Sequence, residues 1–238
     1  MRLPIQEGRA DKYRRACRDA WYCEATMKMT NRWNRFIYHL WAPIYDSTVN
    51  RIFTPGRKRA LELLDLKPGE KVLLVGVGTG ADLPLLPAGV DATGIDLSPE
   101  MLARARLKLD RCPASVRLIE GDAQALLVDE AAFDAVILNL ILSVIPDGNA
   151  CLQSALRALK PGGRAVIFDK FLPEGMSVSP VRKFINFFST LLGTDINRRL
   201  GDLMDGSAGS IVANEPSIVG GMYRVAMLRK TLDPTRRT

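Results

Sequence analysis

The chain has 238 residues, 47% hydrophobic and 25% charged, enough for one well-cored domain with an appendage. No run approaches the ~18 apolar residues of a membrane-spanning helix. Arginine comes early but no apolar leader core follows it, so the expected location is cytoplasmic. The net charge of +7 is uneven: residues 1–60 hold 13 basic and 5 acidic side chains, while residues 61–238 hold 20 and 21. That asymmetry argues against a generally basic enzyme and for a basic attachment surface near the N-terminus. Cys17, Cys23, Cys112 and Cys151 form no C-x-x-C pair, so neither a zinc site nor any other metal site is expected.

In chain order, residues 9–41 interleave aromatic side chains, among them Trp21, Trp33, Tyr38 and Trp41, with Arg14, Arg15, Arg18 and Arg35. On a helix that mixture suits a membrane interface, with rings at headgroup level and cations toward anionic lipid. A lid packed on the main domain is one rival reading. Nucleic acid is another, but it is not the expected partner. Residues 71–75 (KVLLV) read as a first strand after the turn KPGE. Gly76, Gly78 and Ala81 then satisfy a G-x-G-x-x-G/A loop, and Asp96 follows Gly76 by 20 positions. A dinucleotide site needs a helix whose N-terminus faces the pyrophosphate. Pro84 and Pro87 remove backbone donors just past the loop, so any helix there must be short or irregular.

Residues 92–95 form a second strand leading into Asp96. A helix follows, with Ser98 as its N-cap and Pro99 in the first position. Residues 116–120 and 134–140 are the third and fourth strands. A periodic helix runs through "GNACLQSALRALKPGG" to the stop at Pro161, and residues 164–168 make a fifth strand. An apolar helix is expected over 179–193, followed by late strands at 211–215 and 223–230. Alternating strands and helices specify a mostly parallel, doubly wound sheet of α/β class. The short last connection makes one strand near the edge antiparallel. The expected architecture is a seven-stranded sheet behind an N-terminal helical extension. The expected divisions are 1–56, 57–232 and a tail, 233–238.

Five ordered blocks carry a family resemblance: "VGVGTG" (75–80), "GIDLSPEML" (94–102), "EGDAQAL" (120–126), "FDAVILNLILSVIPD" (133–147) and "LKPGGR" (159–164). Together they resemble the class I S-adenosylmethionine-dependent methyltransferases, with a Rossmann-like fold. The resemblance implies that Gly76, Gly78, Thr79 and Gly80 line the amino-acid portion of S-adenosylmethionine. It implies that Asp96, with Leu97 beside it, accepts from both ribose hydroxyls. Asp122 and Ala123 would meet the adenine, and Asn139 would lie under the sulfonium. Family members commonly carry a carboxylate where this chain has Leu74, and Asp82 is the candidate to compensate. "WAPIYD", the "PGRKRAL" helix, "DKFLPEG" and "NEPSIVGGMYRVAMLRK" resemble more closely the bacterial phosphatidylethanolamine N-methyltransferases and the related quinone methyltransferases. The resemblance implies a phospholipid acceptor at an anionic membrane surface and S-adenosylhomocysteine as the second product. Candidate acceptor-holding groups are Tyr45, Tyr38 and Asp169, with His39 a weaker base. Lys170, Arg198, Arg199 and Arg224 are candidates for a lipid phosphate. The alternatives are a C- or O-methyltransferase of a quinone or other lipophilic molecule, an NAD-dependent oxidoreductase, and a nucleotide-binding module without turnover.

Overall fold

The computed structural model describes residues 50–173, 175, 186 and 194–232. The basic aromatic segment, with Tyr38, His39 and Tyr45, lies outside the described residues. So do the tail and, apart from Asn186, the helix expected over 179–193. In chain order the elements are α1 (Asn50–Leu64), β1 (Lys71–Val75), β2 (Asp91–Asp96), α2 (Pro99–Arg106), β3 (Ser115–Glu120), β4 (Phe133–Asn139), α3 (Gly148–Ala158), β5 (Leu159–Lys170), α4 (Leu200–Met204), β6 (Gly209–Pro216) and β7 (Tyr223–Lys230). The strands form one seven-stranded sheet in the order β3-β2-β1-β4-β5-β7-β6. β7 runs antiparallel to both β5 and β6, so the single reversed strand lies next to the edge. The 56/57 division expected from sequence falls inside α1, which runs unbroken across it.

Both sheet faces are covered, and the strand sequences show it. The central strand β4 is buried at six of its seven positions, and β1 is buried after its first residue. Such continuous apolar runs belong to parallel strands with helices on either side. One apolar layer joins Ala60 and Leu64 of α1 to Leu102 and Ala105 of α2 and to Leu74, Ile137 and Phe168 of the sheet. The other joins Leu152 and Ala155 of α3 and Leu200 and Leu203 of α4 to Leu73, Val136 and Ile167. Ser98 caps α2 by accepting from the Met101 amide at 3.2 Å. Asp147 caps α3 by accepting from the Ala150 amide at 2.9 Å.

One boundary differs from expectation. The helix ends at Ala158, ahead of Pro161, and β5 starts at Leu159 instead of residue 164. Leu159 pairs with Phe133 before a register irregularity, so the strand captures the segment ahead of the proline.

The amino edge of the sheet is held by ion pairs. Arg164 donates through Nε to the Leu64 carbonyl at 2.9 Å, tying β5 to the end of α1, and its Nη2 meets Glu70 at 2.8 and 3.0 Å. Burial opposes ionisation of Glu70, but the Arg164 guanidinium and the Lys67 amide outweigh it and hold the carboxyl below its ordinary value. A depressed folded value contributes stability above the unfolded pKa, and that stability is lost as pH falls through the folded value. Glu70→Gln is therefore expected to lower stability by about 1 kcal/mol at neutral pH. The gap to wild type should begin to narrow near pH ~4, where glutamate protonates in the unfolded chain, and close as pH falls through the lower folded value. Denaturant melts at the two pH values check this.

Candidate active site

The register brings the functional candidates to the carboxyl edge. Val75 pairs with Ile95, Asp96 with Glu120, Asn139 with Phe168, and Lys170 with Tyr223. The glycine loop, Asp96, the turn carrying Asp122, Asn139 and Lys170 therefore follow one another across the ends of adjacent strands, where open α/β sheets bind ligands.

The loop after β1 is pinned across to β2. The amides of Gly76 and Val77 both donate to the Ile95 carbonyl, at 2.8 and 2.9 Å. Gly76 has φ +70°, and a Cβ there would meet the Ile141 side chain at 2.6 Å. This glycine thus lets the segment after β4 close over the loop. Gly78 has φ +55°, but the nearest atom to a Cβ there is 4.0 Å away. Its bare backbone faces open space, as close approach by a ligand requires. Past the loop only a single 3₁₀ turn forms, Leu83–Leu85, with Pro84 inside it. No regular helix presents its first turn to a pyrophosphate, which removes the physical basis of a dinucleotide site.

Asp96 is held by the backbone. One carboxylate oxygen accepts from the Gly78 amide at 2.8 Å and the other from the Ser98 amide at 2.9 Å. Burial pushes this carboxyl above its usual range, while the Ser98, Gly78 and Leu97 amides pull the other way. Its orientation is thus fixed before any ligand arrives. Asp122 accepts from the Gln124 amide at 2.9 Å, and Ala123 is buried beside it. Thr79 is buried and accepts from Lys108 Nζ at 3.3 Å.

Asp82 is not a loop acid awaiting a partner. It is 4% exposed, one oxygen accepts from Arg57 Nη1 at 2.6 Å, and the other accepts from Asn139 Nδ2 at 2.9 Å. The pair joins α1 to the cofactor loop and to the end of β4. Arg57 was not anticipated from sequence. A signal was available: Phe53, Arg57, Ala60 and Leu64 recur at i, i+4, i+7 and i+11, one face of α1. A charge in the middle of an apolar stripe requires a buried partner. On the same face Phe53, Phe168 and Tyr223 form an aromatic cluster with ring centres 5.0–6.1 Å apart. Lys170 Nζ lies 5.9 Å from the Tyr223 ring centre.

Four expected acceptor contacts stand in other surroundings. Asp169 is fully buried, and its carboxylate accepts from the Ser143 and Lys170 amides at 2.9 and 2.8 Å. It holds the segment after β4 in place and offers no surface to an amine. Arg198 clamps the same segment, donating to the carbonyls of Leu142, Ile145 and Pro146. A guanidinium so engaged is not a free phosphate site. Arg224 donates to Asn214 across the β6–β7 hairpin at 2.7 Å. Arg199 occupies the N-cap position of α4 without a capping side-chain bond, and Asp202 lies 3.9 Å away. The clamps have a reason: Leu140, just past Asn139, sits at φ +59°. A non-glycine residue held there stores on the order of 1 kcal/mol or more, and it persists only where its surroundings fix it.

A bare-backbone loop, a backbone-held carboxylate on the next strand and a buried polar group at the end of β4 are compatible with the S-adenosylmethionine that the sequence resemblance implies. Comparison with known proteins agrees. The sequence profile described as "Methyltransferase domain" matches residues 73–167. A phosphatidylethanolamine N-methyltransferase of Cereibacter sphaeroides is 31% identical over 188 residues, 78% of this chain and 92% of that one. A demethylmenaquinone methyltransferase of Thermus thermophilus is 36% identical over 137 residues, 54% of this chain and 61% of that one. Among solved structures, an S-adenosylmethionine-dependent methyltransferase of Thermotoga maritima superposes with a TM-score of 0.62 at 19% identity, covering 82% of this chain and 99% of its own. One from Aquifex aeolicus gives 0.58 at 17%, covering 83% and 98%. At such identities the structures speak for the fold, and the sequence relatives for the family. The chain belongs to the class I S-adenosylmethionine-dependent methyltransferases and is an enzyme that takes S-adenosylmethionine as its methyl donor.

Proposed function

We propose that the enzyme N-methylates the headgroup of an aminophospholipid at an anionic membrane surface. The observation that carries this reading is the extent of the Cereibacter relative, whose similarity runs over 92% of its length, well beyond the shared methyltransferase core. The chemistry of the site accommodates it. Bound S-adenosylmethionine supplies a methyl group already activated on a sulfonium. The protein's task is to align the acceptor with that methyl group and exclude water. Among the described residues, the buried carboxylates Asp82, Asp96 and Asp169 are all engaged, so none is a ready base. The headgroup ammonium must first release its proton to water or to a group outside the described residues; the freed lone pair then attacks the methyl carbon as the carbon–sulfur bond breaks and neutral S-adenosylhomocysteine leaves.

In this reading Gly76, Gly78, Thr79 and Gly80 line the cofactor, Asp96 holds its ribose, Asp122 and Ala123 meet the adenine, and Asn139 lies near the sulfonium. Lys170 is the candidate cation for a lipid phosphate because it stands at a strand end on the carboxyl edge; burial lowers its amine pKa, and an arriving phosphate would favour the charged form as Asp169 and Asp195 do. Tyr45 and Tyr38 would hold the amine, and residues 9–41 would bind the membrane. Among the described residues no helix is long and apolar enough to cross a bilayer, and peripheral attachment requires none. Methylation of a quinone is the second reading, favoured by the Thermus relative.

Labelled S-adenosylmethionine presented with vesicles of phosphatidylethanolamine, with and without anionic lipid and demethylmenaquinone, tests the choice. Label should enter the aminophospholipid, and faster with anionic lipid. Reversing the charge of Arg14, Arg15 and Arg18 should weaken vesicle binding by ~1 kcal/mol per cation, while affinity for S-adenosylhomocysteine stays at the wild-type value. Label confined to the quinone, or equal turnover of water-soluble amines without vesicles, would sink the lipid assignment.

A further inference from the structure

The β6–β7 turn lies at the carboxyl edge of the sheet, because Tyr223, the first residue of β7, pairs with Lys170, the last of β5. Backbone bonds fix its shape: the Ser217 amide donates to the Tyr223 carbonyl at 2.8 Å, and the Met222 amide to the Val219 carbonyl at 3.1 Å. Val219 sits at φ +55° and is 58% exposed. A β-branched residue at positive φ is a steric outlier, and here no burial compensates for it. The start of α1 stands at the same edge. Arg57 bonds to Asp82 beside the cofactor loop, whereas Leu64, at the far end of the helix, accepts from Arg164 at the amino edge. Phe53 lies against Tyr223 with ring centres 5.0 Å apart, and Arg59 meets Glu215 through two bonds at 2.9 and 3.0 Å, so helix start and hairpin are joined. Ile52, in the first turn of α1, is 54% exposed.

The charges around these side chains have one sign. Asn50–Lys58 and Pro216–Arg224 together contain four basic residues and no acidic one. Arg57 is matched by Asp82, but Arg51 and Lys58 are exposed, and Arg224 bonds to the neutral Asn214. Apolar side chains scattered singly over a surface need no account. Two at the ligand edge, one held against its backbone preference and both set among cations, do. Apolar groups that enter the acyl boundary, with cations at headgroup level, make an interfacial contact. We infer that the β6–β7 turn and the start of α1 seat the folded domain on an anionic bilayer. Val219 and Ile52 enter the lipid, and Arg51, Lys58 and Arg224 face its phosphates. This rests on the membrane reading above and extends it: the domain itself meets the bilayer, and it does so at the edge that holds the methyl donor.

Sedimentation of the full chain with vesicles of phosphatidylcholine and phosphatidylglycerol tests this. Neither lipid carries a primary amine, so binding is read without the acceptor. The double variant Ile52→Ala with Val219→Gly should bind these vesicles about tenfold more weakly. It should keep its melting temperature, since alanine suits a helix and glycine a positive φ, and its affinity for S-adenosylhomocysteine should stay at the wild-type value. Arg51→Gln with Lys58→Gln should lose about fivefold per cation on the same vesicles and nothing on pure phosphatidylcholine. Double-variant binding equal to wild type overturns the inference, because residues 9–41 would then hold the membrane alone. So does a wild-type dimer in vesicle-free solution that the Ile52→Ala, Val219→Gly protein no longer forms, because the surface would then be a contact between copies. Failure of the acceptor assignment shows separately, as phosphatidylethanolamine left unlabelled while vesicle binding is intact.

Discussion

Asp96→Asn should lose S-adenosylhomocysteine binding by about a hundredfold or more, and turnover with it. The substitution keeps size and shape, so the effect is electrostatic. Both carboxylate oxygens accept from backbone amides, Gly78 at 2.8 Å and Ser98 at 2.9 Å. An asparagine side chain has one acceptor oxygen, and its NH2 would face a second N–H donor. Either the glycine loop or the start of α2 must then give up its contact. A buried donor without a partner costs about 1–3 kcal/mol, so the ligand-free protein should also melt earlier. With Asp96 as the proposed ribose contact, loss of the charge weakens the acceptor for both hydroxyls as well, and two charge-assisted contacts together account for about 3 kcal/mol or more, a hundredfold in affinity. Calorimetry and ligand-free melts check the two effects separately. A solvated loop acid would leave both unchanged, and that result would remove Asp96 from the site.

Much of this arrangement was legible in the sequence because local rules decided it. The parallel sheet followed from alternation, and the reversed strand followed from a connection too short to cross over. Pro84 and Pro87 determined the collapsed turn after the glycine loop, and with it the exclusion of a pyrophosphate. What stayed hidden depends on pairing between distant segments. Asp169 stands at a strand end and reads as a site carboxylate; only the fold shows the amide of Ser143 in front of it. Arg198 reads as a surface cation, yet it packs against carbonyls more than fifty positions earlier. The Arg57–Asp82 pair spans 25 positions: the apolar stripe of α1 marks Arg57 as needing a buried partner, but only the fold shows that it is Asp82. The helix stop at Pro161 was a sound local signal that lost to strand pairing between Phe133 and Leu159.

The Arg57–Asp82 pair yields the larger stability prediction. The two side chains are only 8% and 5% exposed. Removing one member of such a pair strands the other charge out of water, which costs about 3–5 kcal/mol. Asp82→Ala should therefore lower the melting temperature by roughly 10 °C, at ~2–4 °C per kcal/mol for a chain of this size. The double variant Asp82→Ala with Arg57→Met removes both charges and keeps an apolar stem against the sheet. Its loss should be much smaller than that of Asp82→Ala alone, because the stranded guanidinium is gone. Affinity should behave differently: with Asn139 taken as the proposed cofactor contact, both variants should bind S-adenosylhomocysteine poorly, since Asn139 loses its anchor in each. Recovery of stability without recovery of binding separates the pair's part in holding α1 to the sheet from the part of Asp82 in placing Asn139. Equal melting of Asp82→Ala and wild type would mean that the buried guanidinium does not depend on Asp82, and the network drawn through that carboxylate would fall.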